Sequence, residues 1–207
     1  MSKKETDVLS WLLRNGPEIA YRIAQGSQVG QSTVYATLRR LEQKHMIESR
    51  RLKGKEQTKK QREYTLTLRG LACVFIAVRE KASRPIVQRW AHLLPLVLGK
   101  WSVFVEAGCE EYAQRRLLLA SRQFIGLLVY GNGLVETELV GKYQEYFYGL
   151  VAEYLFPFQD GTCLRWLQTV CAVDTEVRDF VVQYFDVALP GLSKKIQDLL
   201  QDLKKLV

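Results

Sequence analysis

The periodicity of residues 31–45 constrains the fold of this chain more than any other feature of its sequence. At about 100° per residue, Val34, Leu38 and Leu41 fall on one narrow apolar face of a helix. The opposite face combines small, polar and basic side chains, a mixture for which a protein core has no use. One face is therefore expected to pack inward, while the other meets solvent or a polar partner. The outward-facing residues are Ser32, Ala36, Arg39 and Gln43, flanked by Thr33 and Arg40.

Two shorter helices are predicted upstream. Residues 6–15 have a broad apolar face behind Thr6, which is the expected N-cap. Residues 17–25 repeat small and apolar side chains at helical spacing, and Gly26 ends this segment. Asn15-Gly16-Pro17 separates the two helices, because Pro17 suits the first turn of the second one.

Two short strands are predicted downstream, over Ile47–Leu52 and Glu63–Leu66. The ten residues 53–62 contain five basic side chains and one acid, and they are too many for a tight turn. Thr67 is the expected cap of a further helix, which runs to about residue 82. The fold class expected from this order is mainly α. Residues 1–84 form a winged helix-turn-helix with a two-stranded β-wing and a linking helix, and residues 85–207 form an all-helical C-terminal domain.

The positive charge of the chain is confined to its N-terminal part. The formal net charge is +8, with a pI near 9.3. Residues 1–84 hold 18 Lys and Arg against 8 Asp and Glu, whereas residues 85–207 hold 12 against 14. Such an asymmetry indicates that the first part meets a polyanion and that the second has another role.

Double-stranded DNA is the polyanion that this arrangement fits, because the second helix of a helix-turn-helix enters the major groove. Arg39 or Arg40 could reach guanine O6 and N7 or a phosphate, and Gln28 and Gln31 could read adenine. Small hydroxyl-bearing side chains are expected to fix the register on phosphates. The predicted contacts are Gln28, Gln31, Ser32, Thr33, Tyr35, Ala36, Arg39, Arg40 and Gln43, with Lys53, Lys55, Lys59, Lys60 and Arg62 from the wing.

Two segments, residues 31–47 and 62–70, resemble the PadR-like and MarR-like winged-helix regulators. A Tyr-x-x-Leu-x-x-Leu-Glu helix precedes a wing and a Tyr-x-Leu-Thr-x-x-Gly segment in that family, and His45-Met46 stands where a Gly-Leu pair is usual. The resemblance implies a homodimer on a pseudo-palindromic operator, dimer contacts from helices beyond the wing, and release of DNA by planar aromatic compounds. The matching residues are Tyr35, Leu38, Leu41, Glu42, Tyr64, Leu66, Thr67 and Gly70.

Residues 85–207 are expected to serve dimerisation, and they could also sense an effector. Residues 101–105 are ambiguous and could form a short strand. Residues 192–206 carry an a/d stripe over two heptads, which either packs within the domain or dimerises. The predicted helical blocks lie near residues 86–98, 109–130, 134–156, 162–171, 174–188 and 192–206.

Aromatic residues cluster in the second part of the chain. Such a stripe is more often core, and the alternative is a site for a small apolar or aromatic effector. Its members on one helix face are Tyr143, Phe147, Leu150, Val151 and Tyr154, with Tyr146, Tyr148, Phe156, Phe158 and Trp166 nearby.

Several other functions are disfavoured by the sequence. Neither His45 nor His92 stands beside a nucleophile or metal-ligand motif, no C-x-x-C pair exists among the four cysteines, and no Gly-rich phosphate loop is found. No catalytic residue, metal or cofactor is therefore expected. The N-terminus lacks a signal-peptide pattern and no apolar run reaches membrane-span length, so a cytoplasmic protein without membrane contact is expected. The rival hypothesis is a winged-helix protein-interaction module, an adaptor or antitoxin, without sequence-specific DNA readout.

Overall fold

The computed structural model describes residues 1–52, 61–78, 81–130, 136–155, 162–188 and 201. Helices dominate these ranges, and a small antiparallel sheet accompanies the N-terminal helices, so the mainly α fold class is confirmed. The N-terminal elements are α1 (Lys3–Asn15), β1 (Glu18–Ile19), α2 (Ala20–Gly26), α3 (Gln31–Gln43), β2 (Ile47–Arg51), β3 (Arg62–Leu66) and α4 (Leu68–Val78).

The sheet has three strands in the order β1-β3-β2, one more than the sequence predicts. The predicted helix over 17–25 is wrong in its first turn, because Glu18 and Ile19 are extended and pair with Tyr64 and Glu63 of β3. This added strand gives backbone hydrogen-bond partners to the edge of β3 that β2 does not cover. Helix α2 then begins at Ala20.

Helix α1 begins three residues earlier than predicted and is capped by Ser2 rather than Thr6. The Ser2 hydroxyl accepts a hydrogen bond from the Glu5 amide at 3.3 Å, and the Glu5 carboxylate accepts one from the Ser2 amide at 2.8 Å. This reciprocal capping box satisfies amides that the first turn of a helix leaves free. Thr6 lies inside the helix, where its hydroxyl donates to the Ser2 carbonyl.

The C-terminal elements are also helical. The predicted block over 86–98 is too long: α5 ends at Trp90, a 3₁₀ turn covers Ala91–Leu93, and Pro95 lies in the turns that follow. Residues 101–105 are helical and not a strand. Of residues 192–206, only residue 201 is described, so the a/d stripe lies outside the described residues. The elements are α5 (Arg84–Trp90), α6 (Trp101–Glu106), α7 (Glu110–Tyr130), α8 (Glu136–Leu155), α9 (Thr162–Val173) and α10 (Thr175–Ala188).

A single apolar core runs from α1 to α10 and crosses the predicted boundary at residue 84. Helix α4 packs against α7. The indole Nε1 of Trp90 donates to the Leu13 carbonyl at 2.8 Å, and the Ala82 amide donates to Gln114 Oε1 at 2.8 Å. The division into two domains thus stays a prediction about function, while the two parts share their packing.

The aromatic stripe of α8 is core where the structure describes its side chains. Tyr143 and Phe147 are fully buried, and Tyr148 is buried beside them. The Tyr143 hydroxyl is hydrogen-bonded to the Ser121 hydroxyl and donates to the Leu117 carbonyl. The side chains of Leu150, Val151, Tyr154, Phe156, Phe158 and Trp166 lie outside the described residues.

Three cysteines have side chains that the structure describes. Cys73, Cys109 and Cys171 are free cysteines, and only Cys171 is fully buried. Within the described ranges, no helix combines the length and apolar character needed to cross a membrane.

Candidate nucleic-acid interface

Helix α3 is held by an apolar face that matches the sequence pattern. Val34, Leu38 and Leu41 are each at most 1% exposed. Thr37 is also buried, because it lies on the same face, and its hydroxyl donates to the Thr33 carbonyl at 3.1 Å. This face packs on α1 and α2, so the opposite side of the helix is turned away from the core.

The outer face of α3 is open to solvent. Thr33 is half-buried, and the other predicted contacts on this helix are exposed, as is Gln28 in the turn before it. Within the described residues, neither Arg39 nor Arg40 forms an ion pair. No part of the C-terminal half that the structure describes covers this face. The exposed predicted residues are Gln28, Gln31, Ser32, Tyr35, Ala36, Arg39, Arg40 and Gln43.

The turn between α2 and α3 is tight, and two features fix it. Gln28 has a φ of 59°, and Val29 next to it is buried. Gly26 lies against the ring of Trp11, where a Cβ atom would come within 2.2 Å of the indole. A side chain at this position would clash with the ring, so glycine permits the close approach of α2 to α1.

The far end of α3 is tied to the start of α1 by an ion pair. Lys44 Nζ donates to Glu5 Oε1 at 2.7 Å, and the Glu5 side chain is only 3% exposed. Burial alone would raise the pKa of the Glu5 carboxyl. The hydrogen bonds from Lys44 and Ser2, with the positive charge of Lys44, outweigh burial and hold that pKa below its ordinary value. The carboxylate therefore stays ionised and fixes one end of the outward-facing helix.

The turn from α3 to β2 contains the departure from the Gly-Leu pattern. His45 has a φ of 53°, the left-handed conformation that favours glycine, so this chain places a histidine where glycine is usual. Thr67 braces the turn: its hydroxyl donates to the His45 carbonyl at 2.7 Å and accepts from the Gly70 amide at 3.1 Å. The predicted cap on α4 is thereby confirmed.

The β2–β3 hairpin brings a second pair of cations together. Arg51 and Arg62 are register partners across the two strands, and both are exposed. Like charges opposite each other on a sheet destabilise it unless a counter-charge is present. Arg50 differs, because Glu63 neutralises it at 2.6 Å. Sequence reasoning missed Arg51, and the signal that could have found it is the strand register with Arg62.

Two exposed aromatic side chains lie on α2 and α3. Tyr35 on α3 is 62% exposed and Tyr21 on α2 is 52% exposed. The Tyr21 hydroxyl accepts a hydrogen bond from Gln25 Nε2 at 2.8 Å. Exposed tyrosines are typical of a surface that has a partner. The wing residues Lys53, Lys55, Lys59 and Lys60 lie outside the described residues.

These elements define a winged helix-turn-helix head. A family model described as the sugar-specific transcriptional regulator TrmB matches residues 1–65, which span α1 to β3. The match supports a winged-helix segment of the kind that DNA-binding transcriptional regulators use, and it does not single out PadR-like or MarR-like proteins. No curated protein and no solved structure matches the chain.

Metal chemistry finds no support in the part of the chain that the structure describes. No group of three or more His, Cys, Asp or Glu side chains there could hold a metal ion. The family that matches residues 1–65 is a family of transcription regulators and not of enzymes.

Proposed function

We propose that this chain is a sequence-specific double-stranded DNA-binding transcriptional regulator, in which α3 reads the major groove and the β2–β3 hairpin contacts the flanking backbone. The observation that carries this proposal is the outer face of α3, which is cationic, exposed, and unpaired within the described residues. An acidic partner would satisfy these charges, and the positive excess of residues 1–84 favours a polyanion.

The geometry of α3 assigns different roles to its two arginines. At about 100° per residue, Arg39 lies nearly opposite the centre of the buried face, while Arg40 lies to one side. A residue that points straight into the groove reaches base edges, whereas a flanking residue meets the phosphates on the groove wall. Arg39 is therefore the proposed base-reading residue, and Arg40 is a proposed phosphate contact.

Regulators that read two half-sites do so as symmetric dimers, so the proposal includes a homodimer whose contacts come from helices beyond the wing. A cytoplasmic location is part of the proposal. The apolar side chain of Val173, which is 64% exposed, is available to such contacts. An effector that modulates DNA binding is also part of the proposal, and the aromatic core of α8 is not its site where the structure describes it.

The rival function, a protein-docking module, predicts a different response to substitution. Operator sites are first selected from a pool of random duplexes, and binding of Arg39→Ala and Arg40→Ala is then measured on selected and random DNA. Arg39→Ala should weaken binding to selected DNA by about 1–3 kcal/mol more than binding to random DNA. Arg40→Ala should weaken both alike.

Arg122→Ala is the matched control, because Arg122 is exposed on α7, outside the winged helix-turn-helix head. It should leave both affinities unchanged. Equal losses for Arg39→Ala on both DNAs would contradict base reading by that residue. If no duplex is selected at low salt, or if all three variants bind as the parent chain does, the docking-module hypothesis is favoured instead.

A further inference from the structure

A cleft of about 620 Å³ opens between α5 and α6, on the side of α5 that faces away from the head. Its volume is within the range of sites that hold small organic molecules. Neither the family match nor the proposed DNA contacts assign any role to it, because the match ends at residue 65. The lining residues named below all belong to the part of the chain that the structure describes with side chains.

Two helices supply the walls, each through one face. Residues 84, 87 and 88 of α5 are spaced so that their side chains lie on the same side of that short helix, and Ala91 follows in the 3₁₀ turn. Residues 101, 102, 105 and 106 of α6 line the other side of the gap. The residues from α5 are Arg84, Val87 and Gln88, and those from α6 are Trp101, Ser102, Val105 and Glu106.

The two ends of the cleft differ in polarity. Ala82, two residues before Arg84, is hydrogen-bonded to Gln114 of α7, so the start of α5 lies beside the first turns of α7. Arg84, Glu106 and Glu110 therefore share one end of the cleft. Leu98 and the ring of Trp101 line the other, and Glu106 is five residues, about 7.5 Å along the helix axis, from Trp101.

Two residues of the walls, Val105 and Trp101, have apolar surface or a polar atom without a contact partner among the described residues. Val105 lines the cleft, and 47% of its surface is exposed. Trp101 is only 4% exposed, and its indole Nε1 has no hydrogen-bond partner among the described residues.

We propose that this cleft binds a small amphipathic amine, with its apolar body against Val87, Leu98 and Val105 and its ammonium group beside Glu106 and Glu110. The apolar end matches a hydrocarbon or aromatic body of a few ångströms. At the other end two carboxylates face one guanidinium, so a cationic head is favoured over an anionic one.

Helix α5 connects this cleft to the head. Its opposite face carries Trp90 and Arg89, which donate hydrogen bonds to the carbonyls of Leu13 and Arg14 at the end of α1. The start of α1 holds Lys44 at the end of α3. A molecule in the cleft that displaces α5 therefore acts on the helix that presents the DNA-reading face, a consequence that rests on the proposed function.

The binding test is an NMR titration of the full ¹⁵N-labelled chain without DNA. Phenethylamine and phenylacetate are the probes, because they share an aromatic body and differ in the charge of the head. The indole N–H signal of Trp101, assigned through its absence in Trp101→Phe, should shift saturably at millimolar phenethylamine and less with phenylacetate. No saturable shift with phenethylamine, or tighter binding of phenylacetate, would overturn the proposal.

Two neighbouring carboxylates supply a matched pair of variants. Glu110 lines the cleft and Glu111 does not, although both lie in the first turn of α7. Glu110→Gln should raise the Kd of phenethylamine about threefold, as expected for the loss of one partly exposed ion pair. Glu111→Gln should leave this Kd unchanged. Equal weakening by both variants would show general attraction to an acidic surface and would overturn the assignment of the cleft.

The regulatory consequence is measured separately, as the Kd of a selected duplex with and without saturating phenethylamine. A change of twofold or more is expected, and a smaller change contradicts the coupling through α5. Failure to bind any duplex would contradict the proposed function alone, because the NMR titration contains no DNA.

Discussion

The ion pair between Glu5 and Lys44 gives a prediction about how α3 is held. In Glu5→Gln the side chain keeps its size and can still accept the hydrogen bond from the Ser2 amide, so the substitution removes mainly the charge. Lys44 is 45% exposed and stays hydrated after its partner is lost, which limits the cost. Glu5 is buried, so the loss should reach the upper end of the range for partly exposed pairs, about 1 kcal/mol of unfolding free energy.

This contribution depends on pH in a defined direction. The pKa of Glu5 is lower in the folded chain than its ordinary value of 4.5, so the folded state stabilises the ionised form. The stabilisation is fully present above pH 4.5 and is lost as the pH falls through the folded pKa. The difference between the parent chain and Glu5→Gln should therefore be about 1 kcal/mol at pH 7 and shrink towards zero in acid.

Urea unfolding of both chains at a series of pH values measures this difference. Glu18→Gln is the control, because its partner Arg22 is 3.5 Å away with a side chain that is 68% exposed, and its loss should cost under about 0.5 kcal/mol at every pH. If Glu5→Gln were neutral at pH 7, or if its cost stayed constant down to acid pH, the inferred role of this pair would be refuted.

Replacement of glycine by alanine is predicted to destabilise the fold at Gly70 and to stabilise it at Gly126. A Cβ at Gly70 would lie 1.9 Å from the Met46 carbonyl oxygen, so Gly70→Ala must move the α3–β2 turn away from α4 and should cost more than about 2 kcal/mol. A Cβ at Gly126, inside α7, would meet nothing within 4 Å, so Gly126→Ala should add about 0.5–1 kcal/mol. Thermal melts of both variants test the pair, and a neutral Gly70→Ala or a destabilised Gly126→Ala would contradict the packing described at that glycine.

The helical periodicity of apolar residues predicted the fold of the head well. Val34, Leu38 and Leu41 repeat on one face over about two turns, so burial of one side of α3 follows from spacing alone. Thr67 was also predictable, because a capping residue directly before an apolar helical run has a local cause. Thr33 on the polar side of α3 is half-buried, and the other candidate contacts on this helix are exposed because the head packs only against the apolar side.

The features that sequence reasoning missed depend on contacts between distant segments. Strand β1 is two residues long and has no period of its own; it exists because β3 offers an unpaired edge. Arg51 joins the site only through its register with Arg62. The cleft arises where two short helices, α5 and α6, face each other, and their spacing is set by the bonds of Trp90 and Ala82 to other helices.

The salt dependence of duplex binding by the full chain tests the central claim most directly. If Arg40, Arg51, Arg62 and the wing lysines contact phosphates, each contact should contribute about −0.9 to the slope of log K against log salt concentration. A slope of about −4 or steeper is predicted. A slope near zero, or no binding of any duplex at about 50 mM salt, would contradict the claim that this face binds DNA.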